Sequence, residues 1–307
     1  MSLFYLSWPL KQLWKAALSV KIFHYLVSLF KDGMIAVMRT GPVPKHIALI
    51  MDGNRRYAKT KQLPLEEGHS AGAESLVDVL NVCYKVGIEQ VTVYAFSIEN
   101  FNRPKQEVDT LFGLLRDKLR FLSQNEESFA SQNKIIIRIL GNRSMIPADI
   151  LHDLEFVEAK TKDFDTKKVF NVCFPYTSRD EIAAAIRSVV EARKSEEITI
   201  DSLNASMYFG PNSPPLDILI RTSGHQRLSD FMLWQCNYNC TIEFVQTLWP
   251  DFGFYSITKI LLKWSYYKAL QLEEESFTGM KKNPTKHVSD ILKLLPPPPP
   301  FASVNQR

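Results

Sequence analysis

The stretch His46-Ile47-Ala48-Leu49-Ile50-Met51-Asp52-Gly53-Asn54-Arg55-Arg56-Tyr57-Ala58-Lys59 predicts the fold, because an apolar run leads directly into a carboxylate, a glycine and two arginines. An uninterrupted apolar strand is typical of a parallel sheet covered on both faces, and open sheets of that kind bind ligands beyond the carboxyl ends of their strands. We therefore expect Asp52 at that edge of the sheet. The charges and the glycine there suit a diphosphate bound together with a magnesium ion.

Two further segments repeat this pattern of an apolar run followed by a polar loop. The run at 91–96 precedes Ser97-Ile98-Glu99-Asn100-Phe101-Asn102-Arg103, and the run at 217–220 precedes Arg221-Thr222-Ser223-Gly224-His225-Gln226-Arg227-Leu228-Ser229. Because parallel strands present their carboxyl ends at one edge of a sheet, we expect the three loops to face one crevice. Together they offer a carboxylate, guanidinium groups, amides and hydroxyls, which suit phosphate oxygens and a bridging divalent cation.

The sequence between these segments alternates between helix-like and strand-like patterns. It predicts helices at 71–86 and 104–122 and strands at 135–140 and 169–174. Ser178 and Glu181 are predicted to form a capping box that opens the next helix. Such alternation predicts one α/β domain whose central, mostly parallel sheet is flanked by helices.

The chain of 307 residues is predicted to have three parts. These are an amphipathic, membrane-associating segment at 1–40, a catalytic domain at 41–273 and a flexible, proline-rich tail at 274–307. Lysines interrupt the first segment, so no uncharged run reaches the roughly 18 residues of a spanning helix. A helical wheel instead shows a narrow polar stripe and a broad apolar side. The polar stripe contains Lys21, His24, Ser28 and Lys31. The apolar side contains Ile22, Tyr25, Leu26, Leu29 and Phe30.

This pattern predicts a helix that lies in the membrane interface. The alternative is an ordinary helix that packs against the core or against a partner subunit. The net charge is only +4 and the basic residues are spread along the chain, so nucleic acid is not an expected partner.

The three polar segments resemble the signature regions of the cis-prenyltransferases, the family that includes undecaprenyl and dehydrodolichyl diphosphate synthases. The likeness runs from about residue 46 to about residue 254 and is greatest to the catalytic subunits of eukaryotic, particularly fungal, members. It implies the cis-prenyltransferase fold, magnesium dependence and condensation of isopentenyl diphosphate onto farnesyl or geranylgeranyl diphosphate. The implied product is a long dehydrodolichyl (polyprenyl) diphosphate for dolichol synthesis and protein glycosylation.

The resemblance also implies roles for individual residues. Asp52 would be the magnesium ligand and, with Asn100 and Arg103, a catalytic residue. The allylic diphosphate would be bound by Gly53, Asn54, Arg56 and His69, and isopentenyl diphosphate by Ser97, Arg221, Arg227 and Ser229. From the residues alone, alternatives remain: Asp52 could cap a turn, His69 could simply start a helix, and Glu99 could serve as a general base.

The chain departs from the family pattern at several positions. Cys240 stands where bacterial homodimeric relatives carry a second acidic metal ligand, and the nearby Glu243 is not at the matching position. Leu65 stands where many relatives have a basic residue. The carboxyl-terminal Arg-x-Gly element of the family is not found at 301–307. The resemblance therefore implies a hetero-oligomer in which a related, membrane-bound accessory subunit supplies this element. We expect the chain on the cytosolic face of the endoplasmic reticulum membrane, or on lipid droplets, as a peripheral protein.

Two other functions fit parts of the sequence. A non-catalytic scaffold subunit would keep the fold but would have no chemical need for the site residues. A phosphohydrolase with Asp52 as nucleophile would need further carboxylates at other strand ends, and Asp217 begins its strand and so should lie at the opposite edge. The Asp-Asp-x-x-Asp clusters of trans-type prenyl synthases are absent from the sequence.

Overall fold

The computed structural model describes residues 8–123, 125–192 and 198–278, with side chains from Phe23 to Phe277 within these ranges. The predicted tail at 274–307 lies outside these ranges from residue 279 onward. Its first residues, 274–278, continue the last helix of the described chain.

A six-stranded sheet forms the centre of the molecule. Its strands are β1 (His46–Ile50), β2 (Gln90–Tyr94), β3 (Ile136–Leu140), β4 (Val169–Cys173), β5 (Ile218–Arg221) and β6 (Thr241–Phe244). They lie in the order β3-β4-β2-β1-β5-β6, and every neighbouring pair is parallel. The predicted parallel α/β fold is confirmed, and β1, the strand quoted first, is central and buried at all its positions.

Helices connect the strands and cover the sheet. They are α1 (Trp8–Met38), α2 (Asn54–Lys61), α3 (Leu65–Val86), α4 (Lys105–Ser123), α5 (Phe129–Asn133), α6 (Ala148–Thr161), α7 (Ser178–Ala192), α8 (Ile200–Ser206) and α9 (Phe254–Thr278).

The two faces of the sheet carry cores of different size. Ile47 and Leu49 belong to the larger core, which also contains residues of α3, α4, α6 and α9. Ala48 and Ile50 point to the other face, because side chains alternate along a strand, and join a smaller core with Phe209. The smaller core is completed by the segment that follows β5 rather than by long helices.

The predicted capping box at the start of α7 is wrong. The Glu181 carboxylate instead accepts hydrogen bonds from the hydroxyl of Tyr176 at 2.6 Å and from the backbone amide of Tyr208 at 2.9 Å. The Ser178 hydroxyl accepts a hydrogen bond from the backbone amide of Leu233 at 2.8 Å. Both side chains hold distant segments together, so tertiary contacts replace the local cap.

The amino-terminal helix α1 packs against α3 and α9. Its carboxyl-terminal half contributes Ile35 and Met38 to the larger core. The apolar side chains predicted to face a membrane are exposed in the described part, namely Tyr25, Leu26, Leu29 and Phe30, together with Phe23. Within the described residues, none of the helices is both long and apolar enough to span a bilayer.

Candidate active site

A crevice of about 400 Å³ opens at the carboxyl ends of β1, β2 and β5. Nine of the residues predicted to bind or act on substrate line it: Asp52, Asn54, His69, Ser97, Asn100, Arg103, Arg221, Arg227 and Ser229. Side chains that are separated by as many as 177 positions in the sequence therefore meet at one place. The predicted convergence of the three loops is confirmed.

Asp52 and Arg221 form the centre of this crevice. The register of β1 and β5 places Ile50 beside Arg221, so Asp52 follows two residues beyond the strand. Arg221 donates from Nη2 to Asp52 Oδ2 at 2.9 Å, and the arginine side chain is 4% exposed while the aspartate is 31% exposed. Burial favours the neutral form of Asp52, but the hydrogen bond from Arg221 and its positive charge outweigh burial and lower the pKa of this carboxyl. Asp52 is therefore an ionised carboxylate that remains open to the crevice.

Arg221 also fixes the loop that follows its own strand. Its Nη1 donates to the carbonyl oxygen of Arg227 and to the Ser229 hydroxyl, the latter at 2.7 Å. Its Nε is buried and has no hydrogen-bond partner among the described residues. The guanidinium thus joins the first and third loops.

The turn after Asp52 requires a glycine. Gly53 has a φ of 117°, which side-chain-bearing residues rarely adopt, and a Cβ there would lie 3.0 Å from Leu248 Cδ2. Asn54 begins α2 directly afterwards, so backbone amides at the start of a helix point toward the crevice. Arg55 lines the crevice, whereas Arg56 is exposed and is not among the lining residues. The role of Arg56 stays a prediction, and Arg55 is a cation that we did not assign.

The second loop is shaped by a capping box that the sequence analysis missed. The Ser97 hydroxyl accepts from the Glu99 amide at 3.2 Å, and the Asn100 carboxamide oxygen accepts from the Ser97 amide at 3.1 Å. Because its oxygen is engaged, Asn100 offers its NH2 group to a ligand. An NH2 group donates hydrogen bonds and cannot take up a proton.

The remaining charged side chains of this loop are paired. Arg103 Nη1 donates to Glu107 Oε1 at 3.0 Å, one helical turn further along. Glu99, the alternative general base, accepts a hydrogen bond from Arg179 at 2.8 Å. Both charged side chains are therefore engaged in ion pairs within the protein.

His69 lies in the first part of α3 and faces the same crevice. Its Nε2 is buried and has no hydrogen-bond partner among the described residues. Burial, together with the positive charge of Arg103, lowers the pKa of His69. His69 is therefore a neutral imidazole whose side chain lines the crevice and whose Nε2 is unpaired among the described residues.

The crevice has a cation and an apolar wall that the sequence analysis did not assign. Lys118 of α4 lines it and donates to the Ser70 hydroxyl at 3.3 Å. Leu111 and Leu115 lie on the same helical face as Lys118, because Leu115 follows Leu111 by four residues and Lys118 follows Leu115 by three. This spacing was the signal that could have revealed the lysine. Phe96 also lines the crevice, whereas Trp234 lines a different cavity.

The residues present fit a magnesium ion that is held jointly with substrate. No group of three or more His, Cys, Asp or Glu side chains that could hold a metal occurs among the described residues. Glu243 does not replace the missing ligand, because its carboxylate binds Lys263 at 2.8 Å and lines a separate cavity of about 690 Å³. Cys240 is likewise absent from the crevice lining. One carboxylate suits magnesium when phosphate oxygens and water provide the other ligands, and Asp52 is the residue placed to do so.

Asp217 lies at the opposite edge of the sheet, as predicted. Its carboxylate accepts hydrogen bonds from the backbone amides of Lys45 at 2.6 Å and His46 at 3.1 Å, before β1 and at its first residue. It therefore cannot assist Asp52, and the arrangement does not support a phosphohydrolase with several carboxylates at one edge.

Comparison with known proteins identifies relatives of the whole described domain. Residues 50–269 match the protein family described as "Putative undecaprenyl diphosphate synthase". A dehydrodolichyl diphosphate synthase complex subunit of Saccharomyces cerevisiae is 41% identical over 90% of this chain and 81% of its own length. The corresponding human complex subunit is 41% identical over 83% of this chain and 78% of its own length.

Solved structures agree with these relatives. Lavandulyl diphosphate synthase of Lavandula x intermedia, in complex with dimethylallyl diphosphate, has a TM-score of 0.66 and 28% identity, covering 73% of this chain and 95% of its own. A probable undecaprenyl diphosphate synthase of Campylobacter jejuni has a TM-score of 0.60 and 30% identity over the same shares. Sequence, fold and site geometry lead to one conclusion: the chain belongs to the cis-prenyltransferases, the enzymes that elongate an allylic diphosphate with isopentenyl diphosphate.

Proposed function

We propose that this chain is the catalytic subunit of a complex that makes long-chain dehydrodolichyl (polyprenyl) diphosphate for dolichol synthesis and protein glycosylation. Its primer would be farnesyl or geranylgeranyl diphosphate. The observation that carries the proposal is the single crevice in which Asp52, Arg103 and Arg221 meet from three different loops. A scaffold subunit, the other candidate, would have no chemical need for this arrangement.

The allylic diphosphate is assigned to the part of the crevice around α2. Asp52 would hold magnesium, which when bound neutralises charge on the departing diphosphate. Asn54, Arg55 and His69 line the same part and offer donors to phosphate oxygens. Arginine and helix amino-terminal donors act in a partly buried site, where they stabilise developing negative charge more strongly than in water.

Isopentenyl diphosphate is assigned to the neighbouring part of the crevice, between the second and third loops. Arg227 and Ser229 would bind its diphosphate, and Asn100 would donate its NH2 group to the same oxygens. The isopentenyl double bond would form the new carbon–carbon bond as the allylic carbon–oxygen bond breaks. Since Asn100 cannot accept a proton and Glu99 is paired, the proton lost afterwards would go to a phosphate oxygen.

An accessory subunit is supported by the relatives and by the surface. The yeast and human relatives are both named as subunits of a complex. Strand β6 pairs only with β5 among the described residues, and its Ile242 and Phe244 are each 38% exposed. Ile242 pairs with Leu219 in the β5–β6 register, so its side chain lies on the face of the sheet that carries the smaller core. This edge is the surface on which we place the partner.

Peripheral binding to the cytosolic face of the endoplasmic reticulum membrane, or to lipid droplets, is proposed for α1. Its exposed side carries Phe23, Leu26, Leu29 and Phe30, whose burial in a lipid interface would be favourable. The helix is anchored to the domain through Ile35 and Met38, so membrane contact would leave the crevice in place.

The function is tested by incubating the chain, with and without its accessory subunit, with labelled isopentenyl diphosphate, farnesyl diphosphate and magnesium. Long polyprenyl diphosphates are expected, and Asp52→Ala should reduce incorporation at least about 1,000-fold, as for loss of a central electrostatic group. Asp109→Ala, an exposed aspartate of α4 outside the crevice, is the matched control. Full turnover by Asp52→Ala would reject the metal assignment, and absence of elongation with every partner would favour a scaffold.

The membrane assignment is tested by flotation with vesicles that contain anionic and neutral phospholipids. Replacing both Leu26 and Leu29 by glutamate should abolish co-flotation, because two charges would enter the apolar interface. Ser28→Glu, on the polar stripe of the same helix, is the matched control. Unchanged flotation of the double variant would contradict membrane binding through α1.

A further inference from the structure

The loop that carries Arg227 and Ser229 has an unusual backbone. Four of the non-glycine residues in and just after it have positive φ angles, namely Ser223 at 76°, Ser229 at 50°, Asp230 at 58° and Met232 at 48°. Such conformations cost free energy for side-chain-bearing residues and persist only where neighbouring groups hold them. The diphosphate-binding side chains of this loop therefore depend on contacts made elsewhere.

The first turn of α7 provides these contacts. The backbone amide of Ser178 donates to the Asp230 carbonyl oxygen at 2.7 Å, and the Ser178 hydroxyl accepts from the Leu233 amide at 2.8 Å. The Asp230 carboxylate accepts from both the backbone amide of Arg179 at 3.2 Å and its Nε at 2.7 Å. Four hydrogen bonds thus fasten the third loop to the start of this helix.

Arg179 also reaches the second loop. Its Nη2 donates to Glu99 Oε1 at 2.8 Å. Glu99 lies between Ser97 and Asn100 in the short helix Ile98–Asn102, whose capping box orients both of these side chains. One guanidinium therefore joins the two loops between which isopentenyl diphosphate is placed.

We propose that Arg179 is a positioning residue for isopentenyl diphosphate, because it locks the second and third loops at the spacing that the homoallylic diphosphate requires. The inference rests on the proposed function. Arg179 does not line the crevice itself, so it acts through Glu99 and Asp230. The Arg179–Glu99 pair that bridges the two loops is exposed on both sides and contributes little to global stability, so its effect should be local.

The shape of arginine suits this role better than that of lysine. A planar guanidinium presents Nε and Nη2 in fixed directions, so it can bind two carboxylates on different loops at once. A lysine has a single ammonium group on a flexible stem and would keep one of the two contacts. Arg179→Lys should consequently behave as a partial loss and Arg179→Gln as a full loss.

The test uses the complete catalytic complex and measures steady-state elongation together with direct calorimetric binding of isopentenyl diphosphate. In Arg179→Gln we expect KM and Kd for isopentenyl diphosphate to rise about tenfold, as for loss of two charge-assisted hydrogen bonds. The KM for farnesyl diphosphate and the melting temperature should stay at wild-type values. Arg179→Lys should give an intermediate rise, and Arg187→Gln, an exposed arginine on the same helix, should give none.

Each outcome decides the inference. Unchanged KM and Kd for isopentenyl diphosphate in Arg179→Gln would overturn it, as would an equal rise for both substrates, which would indicate a general structural role. Asp230→Asn should reproduce the selective effect, since it weakens the same link from the other side. Failure of the wild-type complex to elongate or to bind isopentenyl diphosphate would instead reject the proposed function, which separates the two hypotheses.

Discussion

Acid should destabilise this protein partly through one buried histidine, His46. The side chain is 1% exposed at the start of β1. Its Nδ1 lies 3.1 Å from the carbonyl oxygen of Pro214, and its Nε2 lies 2.8 Å from the Thr92 hydroxyl, which also accepts a hydrogen bond from Asn171 at 3.0 Å. These partners fit a neutral ring that donates from Nδ1 and accepts at Nε2. A second proton on Nε2 would have to displace the donor hydrogen of Thr92.

The size of the effect follows from the shift in pKa. Burial lowers the pKa of His46 from 6.5 to about 4, and the hydrogen bond to Pro214 offsets only part of this. The unfolded chain therefore takes up a proton between these two pH values while the folded chain does not. The free energy of unfolding is not reduced by His46 above pH 6.5. Below pH 6.5 it falls by about 1.4 kcal/mol for each unit of pH, and the loss reaches about 3 kcal/mol near pH 4.

The assay is urea unfolding at half-unit steps from pH 4 to pH 8, comparing wild type with His46→Gln. Buried carboxyls such as Glu181, whose pKa is raised mainly by burial, change stability in the opposite direction. The difference between the two proteins removes these shared contributions. His46→Gln should be less stable at pH 8, but its free energy of unfolding should decline less steeply between pH 6.5 and 4. His152→Gln, at a side chain that is 84% exposed, should keep the wild-type slope.

The reasoning would be refuted if wild type and His46→Gln showed parallel pH dependences. Parallel curves would mean that His46 has the same proton affinity in the folded and unfolded chains. The neutral buried ring, and the network built around it, would then be an incorrect description of the amino end of β1.

Three further predictions concern the crevice. Gly53→Ala should lower the free energy of unfolding more than Gly87→Ala, which should lower it by about 1 kcal/mol. Both glycines have positive φ, but a Cβ at Gly53 would meet Leu248 whereas a Cβ at Gly87 meets nothing within 4 Å. Urea midpoints measure the difference, and equal losses would contradict the close approach of Leu248 to Gly53. Arg221→Lys should lower kcat/KM for isopentenyl diphosphate about 10- to 100-fold, because lysine cannot bind Asp52, Ser229 and the Arg227 carbonyl together. Wild-type turnover would show that these joint contacts are not needed for catalysis. Lys118→Gln should raise the KM for the allylic diphosphate about threefold to tenfold at an unchanged melting temperature, and no change would place the lysine outside the binding site.

The positions of the main site residues could be predicted because they follow apolar strands directly. An apolar run fixes both the strand and the point at which it ends, and a parallel sheet brings such ends to one edge. Asp52 and Arg221 were placed correctly on this basis. The order of the strands could not be predicted in the same way, because β1 is flanked by β2 and β5 through pairings between distant segments.

Helical residues were predicted less well, for a geometric reason. Consecutive residues of a helix differ in direction by about 100°, so only one of Arg55 and Arg56 can face the crevice. Which of them does so depends on how α2 packs against α3, and two adjacent arginines in a sequence do not encode that rotation. Lys118 was missed for the related reason that a lysine in an apolar stripe resembles a residue that merely extends to solvent.

The two ends of the sheet differ in how their buried polar groups are satisfied. At the amino end, His46, Thr92 and Asp217 all have partners within the protein, while Asn171 Oδ1 of the same network is buried without one among the described residues. At the carboxyl end, His69 Nε2 and Arg221 Nε are buried without partners among the described residues. An unsatisfied buried polar group costs about 1 to 3 kcal/mol, and these two belong to side chains that line the crevice in which a diphosphate would bind. The residues that make this edge least stable in isolation are therefore those that favour binding of an anionic substrate, and substrate diphosphates should raise the melting temperature.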